Sequence, residues 1–298
     1  MNLKFEIDAG EYTAMTNPIG NDNSVSFSTT EQHSFSTLES LARLYRSRVF
    51  TETPSLKVSL LPSKTCSKLR HVRNEIFFLS SVAGELCQSI MTFEKASSCR
   101  NGMAKLFLSL LYTCNMVCEM NLMECIAKKL ALNAKKYPAE LCRGKSGKYT
   151  KYSQHTGITK TEGQSTLDRE DSFNPNETLQ HLVDRIDKFA KEREWEKYHT
   201  PRNIMMALMG EMGELAELFQ WMGDETDVKL EDPLFWDKVG QEMADVSIYL
   251  MRMAKVSGID LGETSVEMLQ CSHESPTRSK PASYFDSPRS TLTSTVKK

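Results

Sequence analysis

PRNIMMALMGEMGELAELFQW, residues 201 to 221, decides the fold class. Its apolar residues Met205, Leu208, Met212 and Leu215 recur every three or four positions, the period of an α-helix buried along one face. Within that run stand Glu211 and Glu214, three apart and so on a common face. A second stretch, EMADVSIYL from Glu242 to Leu250, repeats the arrangement with Glu242 and Asp245 among Val239, Met243, Val246, Ile248 and Leu250. The result is E-x-x-E, a 27-residue gap, and E-x-x-D. Either pair alone is common on a solvated helix face, but acids that interrupt apolar stretches point to an interior site. Two such helices side by side gather four carboxylates, which need cations beside them. Hard divalent ions suit oxygen ligands, and Mg²⁺ needs few carboxylates when substrate phosphates complete its shell.

Outward from this core the helix signals continue. Asn176, Glu177 and Thr178 precede an apolar stripe at Leu179, Leu182, Val183, Ile186 and Phe189, which reads as a capped amphipathic helix. Pro201 opens the next helix, where its fixed φ and missing N–H cost least. Gly223 and Asp224 end it, Pro233 starts another before Trp236, and Gly258 closes that one. Amphipathic helices joined by short loops pack most economically as an antiparallel bundle, so the fold expected is all-α.

The ordered series E-R-E-W, P-R-N, G-E-x-G-E-L-A-E-L-F-Q-W and E-x-x-D-V-x-I-Y-L, spread over Thr178 to Leu250, resembles the dCTP pyrophosphatases of the MazG-like all-α nucleoside triphosphate pyrophosphohydrolases. The resemblance implies hydrolysis between the α- and β-phosphates of a nucleoside triphosphate, with Mg²⁺ on Glu211, Glu214, Glu242 and Asp245 and with Glu211 as candidate base. It carries the segment Trp195, Glu196, Lys197, Tyr198 and His199 over as the base and sugar pocket, Trp221 as a further aromatic wall, and Tyr249 as another substrate contact. Without it, a Trp in a helical bundle reads more readily as core. Where the family has a His on the first helix of the bundle this chain has Ile186, which bears on cytosine preference. Family members assemble as homo-oligomers, and the same expectation holds here.

The chain reads as two copies of one unit. VRNEIFFLSSVAGELCQSI in the first parallels PRNIMMALMGEMGELAELF in the second, and FSTLESLARLYRSRVF parallels TLQHLVDRIDKFA. Aligning Arg73 and Asn74 with Arg202 and Asn203 sets Val82 opposite Glu211 and Glu85 opposite Glu214, while Met103 and Leu106 fall where the second acid pair belongs. The first copy is therefore read as degenerate, a folding or dimerisation partner. The second copy has the opposite gap. The family's K-x-x-x-N-x-x-K-Y-P motif, near the substrate phosphates, is replaced there by Met268 and Ser272, yet survives in the first copy as Lys129, Asn133, Lys136, Tyr137 and Pro138. Lys129 and Asn133 are thus candidate phosphate contacts supplied by the first copy, with independent decay of the two motifs, or an artefact of how the chain was assembled from its gene, the competing explanations.

Length, 298 residues, allows about two domains. The organisation expected is a disordered leader at 1–34, a degenerate MazG-like domain at 35–150, a linker at 151–174, a MazG-like pyrophosphatase domain at 175–272 and a disordered Ser/Thr/Pro-rich tail at 273–298. A net charge of −2 carries no basic field for nucleic acid, so the partner expected is a small nucleotide. Seven of the eight cysteines lie at or before Cys142 without paired C-x-x-C spacing, which reads as reduced thiols. Leu106 to Cys118 is too short to span a bilayer and reads as a buried helix. No targeting segment is read at the N-terminus, making cytoplasm the expected compartment and a membrane no partner. Two alternatives stand beside hydrolysis: a tandem pseudoenzyme that only binds nucleotides or a protein, and a di-iron bundle, which lacks the Glu-x-x-His motifs it would need.

Overall fold

The computed structural model describes residues 39–46, 68–92, 96–145, 177–222 and 228–270. The expected leader, linker and tail lie outside them. After a helical segment at 39–46 come α1 (Lys68–Met91), α2 (Ala96–Tyr112), a π-helical turn (Thr113–Val117), α3 (Leu122–Lys136), α4 (Ala139–Cys142), α5 (Leu179–Glu192), α6 (Pro201–Glu217), a 3-10 turn (Val228–Glu231), α7 (Pro233–Val256) and α8 (Leu261–Gln270). No strand occurs among the described residues, and the fold is all-α.

Local chemistry sets the helix starts. The side chains of Thr178, Thr200 and Asp232 accept from the backbone N–H of His181, Asn203 and Leu234 at the beginnings of α5, α6 and α7, satisfying donors that the first helical turn leaves open. Pro201 and Pro233 occupy the first helical positions. Gly258, at φ +65°, takes the left-handed turn after α7 that a side chain would strain. One boundary differs from expectation. The α-helix of α6 stops at Glu217, and the chain tightens to shorter bonds, Phe219 N–H to Ala216 O and Met222 N–H to Phe219 O; Gly223 and Asp224 lie outside the described residues.

The buried side chains from Leu41 to Leu269 form one contiguous core. α6 packs on α7 and on α1, α1 on α2, and α7 also meets α2 and α5. The remaining contacts exchange helices between the two blocks. α3, from the first block, lies on α7, while α8, from the second, lies on α2. Gly240 permits the first of these approaches: a Cβ there would stand 3.0 Å from Cys125 Sγ on α3 and 3.5 Å from Met120 Sδ. Polar contacts follow the same exchange. Arg100 on α2 donates to Thr264 Oγ1 at 2.8 Å and pairs with Glu267 at 2.7 Å, both on α8.

Leu106, Phe107, Leu108, Leu110 and Leu111 are fully buried, as the apolar stretch requires. Cys87, Cys99, Cys114, Cys118, Cys125 and Cys142 are free thiols, four of them buried. Among the described residues no single helix is long and apolar enough to cross a membrane.

Candidate active site

α6 and α7, the most extensively packed pair, carry the acids. Carboxylate oxygens of Glu211, Glu242 and Asp245 lie within 4.8 Å of one another. Glu214, one turn along α6, is exposed and outside that group. Crowding leaves its mark on the ionisation of the others. Glu211 is pushed up to about 7, by burial first and then by Asp245, Glu214 and Glu242. Glu242 is raised chiefly by burial, with Lys129 pulling the other way. Its Oε2 is buried with no hydrogen-bond partner among the described residues, a cost that folded proteins rarely leave uncompensated. Partly buried oxygens of three acids, one of them orphaned, are a donor set that fits a hard divalent cation such as Mg²⁺.

The phosphate-motif residues arrive from the other block. Lys129 Nζ on α3 is 2.7 Å from Asp245 Oδ2, and Asn133 Nδ2 donates to Asp245 Oδ1 at 3.3 Å. Their positions follow from the packing of α3 on α7, so the second block's acids receive the lysine and asparagine that the helix following them lacks. At the corresponding place in the first block, Val82, Met103 and Leu106 are buried in the core, Glu85 is exposed beside Lys105 at 3.8 Å, and the helix that lies on α2 is α8, with its Met268.

The aromatic segment is stitched to the first block. Trp195 Nε1 donates to the carbonyls of Lys145, at 2.8 Å, and Cys142, at 3.3 Å. Tyr137 and Phe189 meet its ring edge-on at 5.6 and 5.7 Å. Tyr198 donates its hydroxyl to Gly144 O at 2.7 Å. Glu196 and Lys197 are exposed. Tyr249, one turn beyond Asp245, has its hydroxyl ionisation raised, first by burial and then by Glu211 and Asp245. Trp221 is 89% exposed and has no ring contact with Trp195 among the described residues. Sequence reasoning missed Arg252, buried at 3%, whose Nε donates to His199 Nδ1 at 3.0 Å. An arginine interrupting the apolar run YLMRMA was the signal available.

Acid crowding sets the pH response of the metal-free protein. Glu211 ionises at an ordinary value in the unfolded chain and near 7 in the fold, so its contribution is fully present below the unfolded value and lost as pH rises through about 7. Glu211→Gln is therefore expected to raise the Tm of the chelator-treated protein by a few degrees at about pH 8 and to leave it unchanged near pH 4. Thermal melts at both values check this, and a variant less stable at the higher pH would contradict the placement of Glu211.

The chain is 37% identical over 126 residues to dCTP pyrophosphatase 1 of Rattus norvegicus, a match covering 41% of this chain and 74% of the rat protein. It is 35% identical over 141 residues to the Mus musculus protein of the same name, covering 43% and 83%. Against that of Homo sapiens it is 44% identical over 91 residues, covering 30% and 54%. No family model matches the chain, and no solved structure does. At this identity, over most of the length of the two rodent proteins, the chain belongs to the dCTP pyrophosphatase family of nucleoside triphosphate diphosphatases.

Proposed function

We propose that the chain hydrolyses a deoxynucleoside triphosphate, dCTP or a close relative, to the monophosphate and pyrophosphate, using Mg²⁺ held by Glu211, Glu242 and Asp245 with Glu214 at the outer edge. One observation carries the reading: three carboxylate oxygens within 4.8 Å, with a lysine and an asparagine on one of them. Mg²⁺ in such a site neutralises the triphosphate, polarises the attacked phosphorus and lowers the pKa of water. The protein's own groups then do the rest. A Glu211 oxygen not engaged by the cation would accept a proton from the water that attacks the α-phosphorus. Lys129 and Asn133 turn from Asp245 to phosphate oxygens, giving charge-assisted contacts to the departing pyrophosphate. Trp195 and His199 hold the base, and Tyr249 borders the sugar.

In this reading the chain is a fused pair of family copies with one working site, and its second acid pair is completed by α3 of the first copy. A binding-only protein is the less favoured reading, since Lys129 and Asn133 of the first block lie on Asp245. Pyrophosphate release from a panel of deoxynucleoside triphosphates, with and without Mg²⁺, tests the proposal. Absence of Mg²⁺-dependent release from every substrate would refute it. Lys129→Ala is expected to raise KM or lower kcat by about tenfold or more at unchanged helix content.

A further inference from the structure

α7 presents Glu242, Asp245, Tyr249 and Arg252 at spacings of three, four and three, a single stripe along the helix. Arg252 stands roughly 10 Å along the axis from Asp245, about where the base of a nucleotide would lie if its phosphates met the acids. It is buried, and a buried arginine is normally held by partners. Its Nη1 pairs with Asp187 Oδ1 on α5, and its Nε donates to His199 Nδ1 at 3.0 Å. The other oxygen of Asp187 is taken by Lys191 Nζ at 2.7 Å.

These contacts determine where the imidazole carries its proton. A guanidinium stays protonated in proteins, so Arg252 Nε–H can only donate. Nδ1 of His199 must then present a lone pair, and the proton of the neutral ring sits on Nε2. Protonating Nδ1 as well would set two N–H groups against each other beside a fixed positive charge. The ring is accordingly held down to about 4, by burial first and then by Arg252. The charged groups around it are Arg252 from α7 and Asp187 and Lys191 from α5, and Asp187 is engaged by both cations rather than by the ring. Despite its own burial, Asp187 stays below the usual carboxylate range through Lys191 and Arg252. The His199 ring lies 6.0 Å from that of Trp195, tilted by 58°, and its Nε2 has no hydrogen-bond partner among the described residues.

We propose that Arg252 and Asp187 are positioning residues that lock His199 as the neutral Nε2–H tautomer, so that it offers the base only a donor and selects an acceptor edge. Set against N3, that donor meets an acceptor in cytosine and an opposing N3–H in thymine or uracil, whereas the O2 carbonyl common to these bases would not distinguish them. Base choice then resides in a three-residue relay behind the pocket, beyond what Trp195 stacking alone discriminates, because every base has a face to stack. The proposal rests on the nucleotide reading for its ligand, but the tautomer does not.

Nitrogen-15 NMR of the full chain without nucleotide reads the tautomer directly. The expected result is an unprotonated Nδ1 and a protonated Nε2 from about pH 5.5 to 8 with no titration between. An Nδ1–H tautomer, or protonation near 6.5, overturns the lock. Arg252→Met should release the tautomer and let Nε2 accept, with only a partial rise in the ring's pKa, because burial, the larger cause of its depression, remains. The preference for dCTP over dTTP, read as a ratio of Kd values with Ca²⁺ replacing Mg²⁺ to suppress turnover, should then fall about tenfold, while Arg252→Lys should recover it in part. If Arg252→Met does not fold, Asp187→Asn gives the same direction with a smaller change, since Lys191 remains and the guanidinium loses only its charged partner. An unchanged dCTP-to-dTTP ratio in a variant whose tautomer has been freed would overturn the specificity role. A wild-type chain that binds neither nucleotide but shows the Nε2–H tautomer would refute the proposed function while leaving the lock in place.

Discussion

Glu242→Gln or Asp245→Asn is expected to lower Mg²⁺-dependent turnover by roughly two to three orders of magnitude. Each replacement removes one anionic ligand from a group of three whose oxygens lie within 4.8 Å, weakening the cation and the field it exerts together. The fold should survive both. Glu242 Oε2 is already buried without a partner, so an uncharged amide there removes a cost. Asn at 245 keeps a carbonyl oxygen toward Lys129. Circular dichroism separates a dead site from a lost fold, calorimetry with Mg²⁺ shows whether the cation has gone, and near-normal rates in both variants would sink the assignment of the acids.

Dissecting the chain should have an effect as large. A fragment from Ser172 to Lys298 retains every acid of the site, yet it is expected to show no measurable turnover and to melt poorly. α7 would lose α2 and α3, and α6 would lose α1. Each large apolar side chain uncovered forfeits about 1.5 to 3 kcal/mol. Lys129 and Asn133 would be gone from Asp245, and Trp195 and Tyr198 would lose the carbonyls of residues 142, 144 and 145. Mixing in a fragment of residues 35–150 should restore activity. Full activity in the second fragment alone would show that the first block contributes nothing to the site.

What could be read in advance was local. Thr178, Pro201, Pro233 and Gly258 act within one helical turn of themselves, so the elements they bound are visible in the chain. The two acid pairs are visible for the same reason, each being a spacing on one helix. The pairing of α3 with α7 depends on contacts between residues more than a hundred positions apart, such as Asn133 with Asp245, and on a bare Gly240 that admits Cys125. No periodicity encodes that choice, which is why the sequence left completion across the copies and independent decay of the two motifs both open. Trp221 carried a family match but ends on a tightened turn that leaves it exposed. Arg252 was hidden in an apolar run because only its partners on α5 and at residue 199 give it a purpose.

The exchange of α3 and α8 between the blocks bears on how such a chain can change over generations. In a symmetric dimer of identical chains every substitution is made twice, once in each pocket, and a change that fills one pocket with Val, Met and Leu empties the other of its chemistry. If the chain is, as proposed, two joined copies, that coupling is broken. One pocket becomes free to trade carboxylates for packing, gaining cohesion at Val82, Met103 and Leu106, while its sibling keeps its charges. In that reading the lysine-bearing helix escapes the same decay because it lies against the acids of the other block.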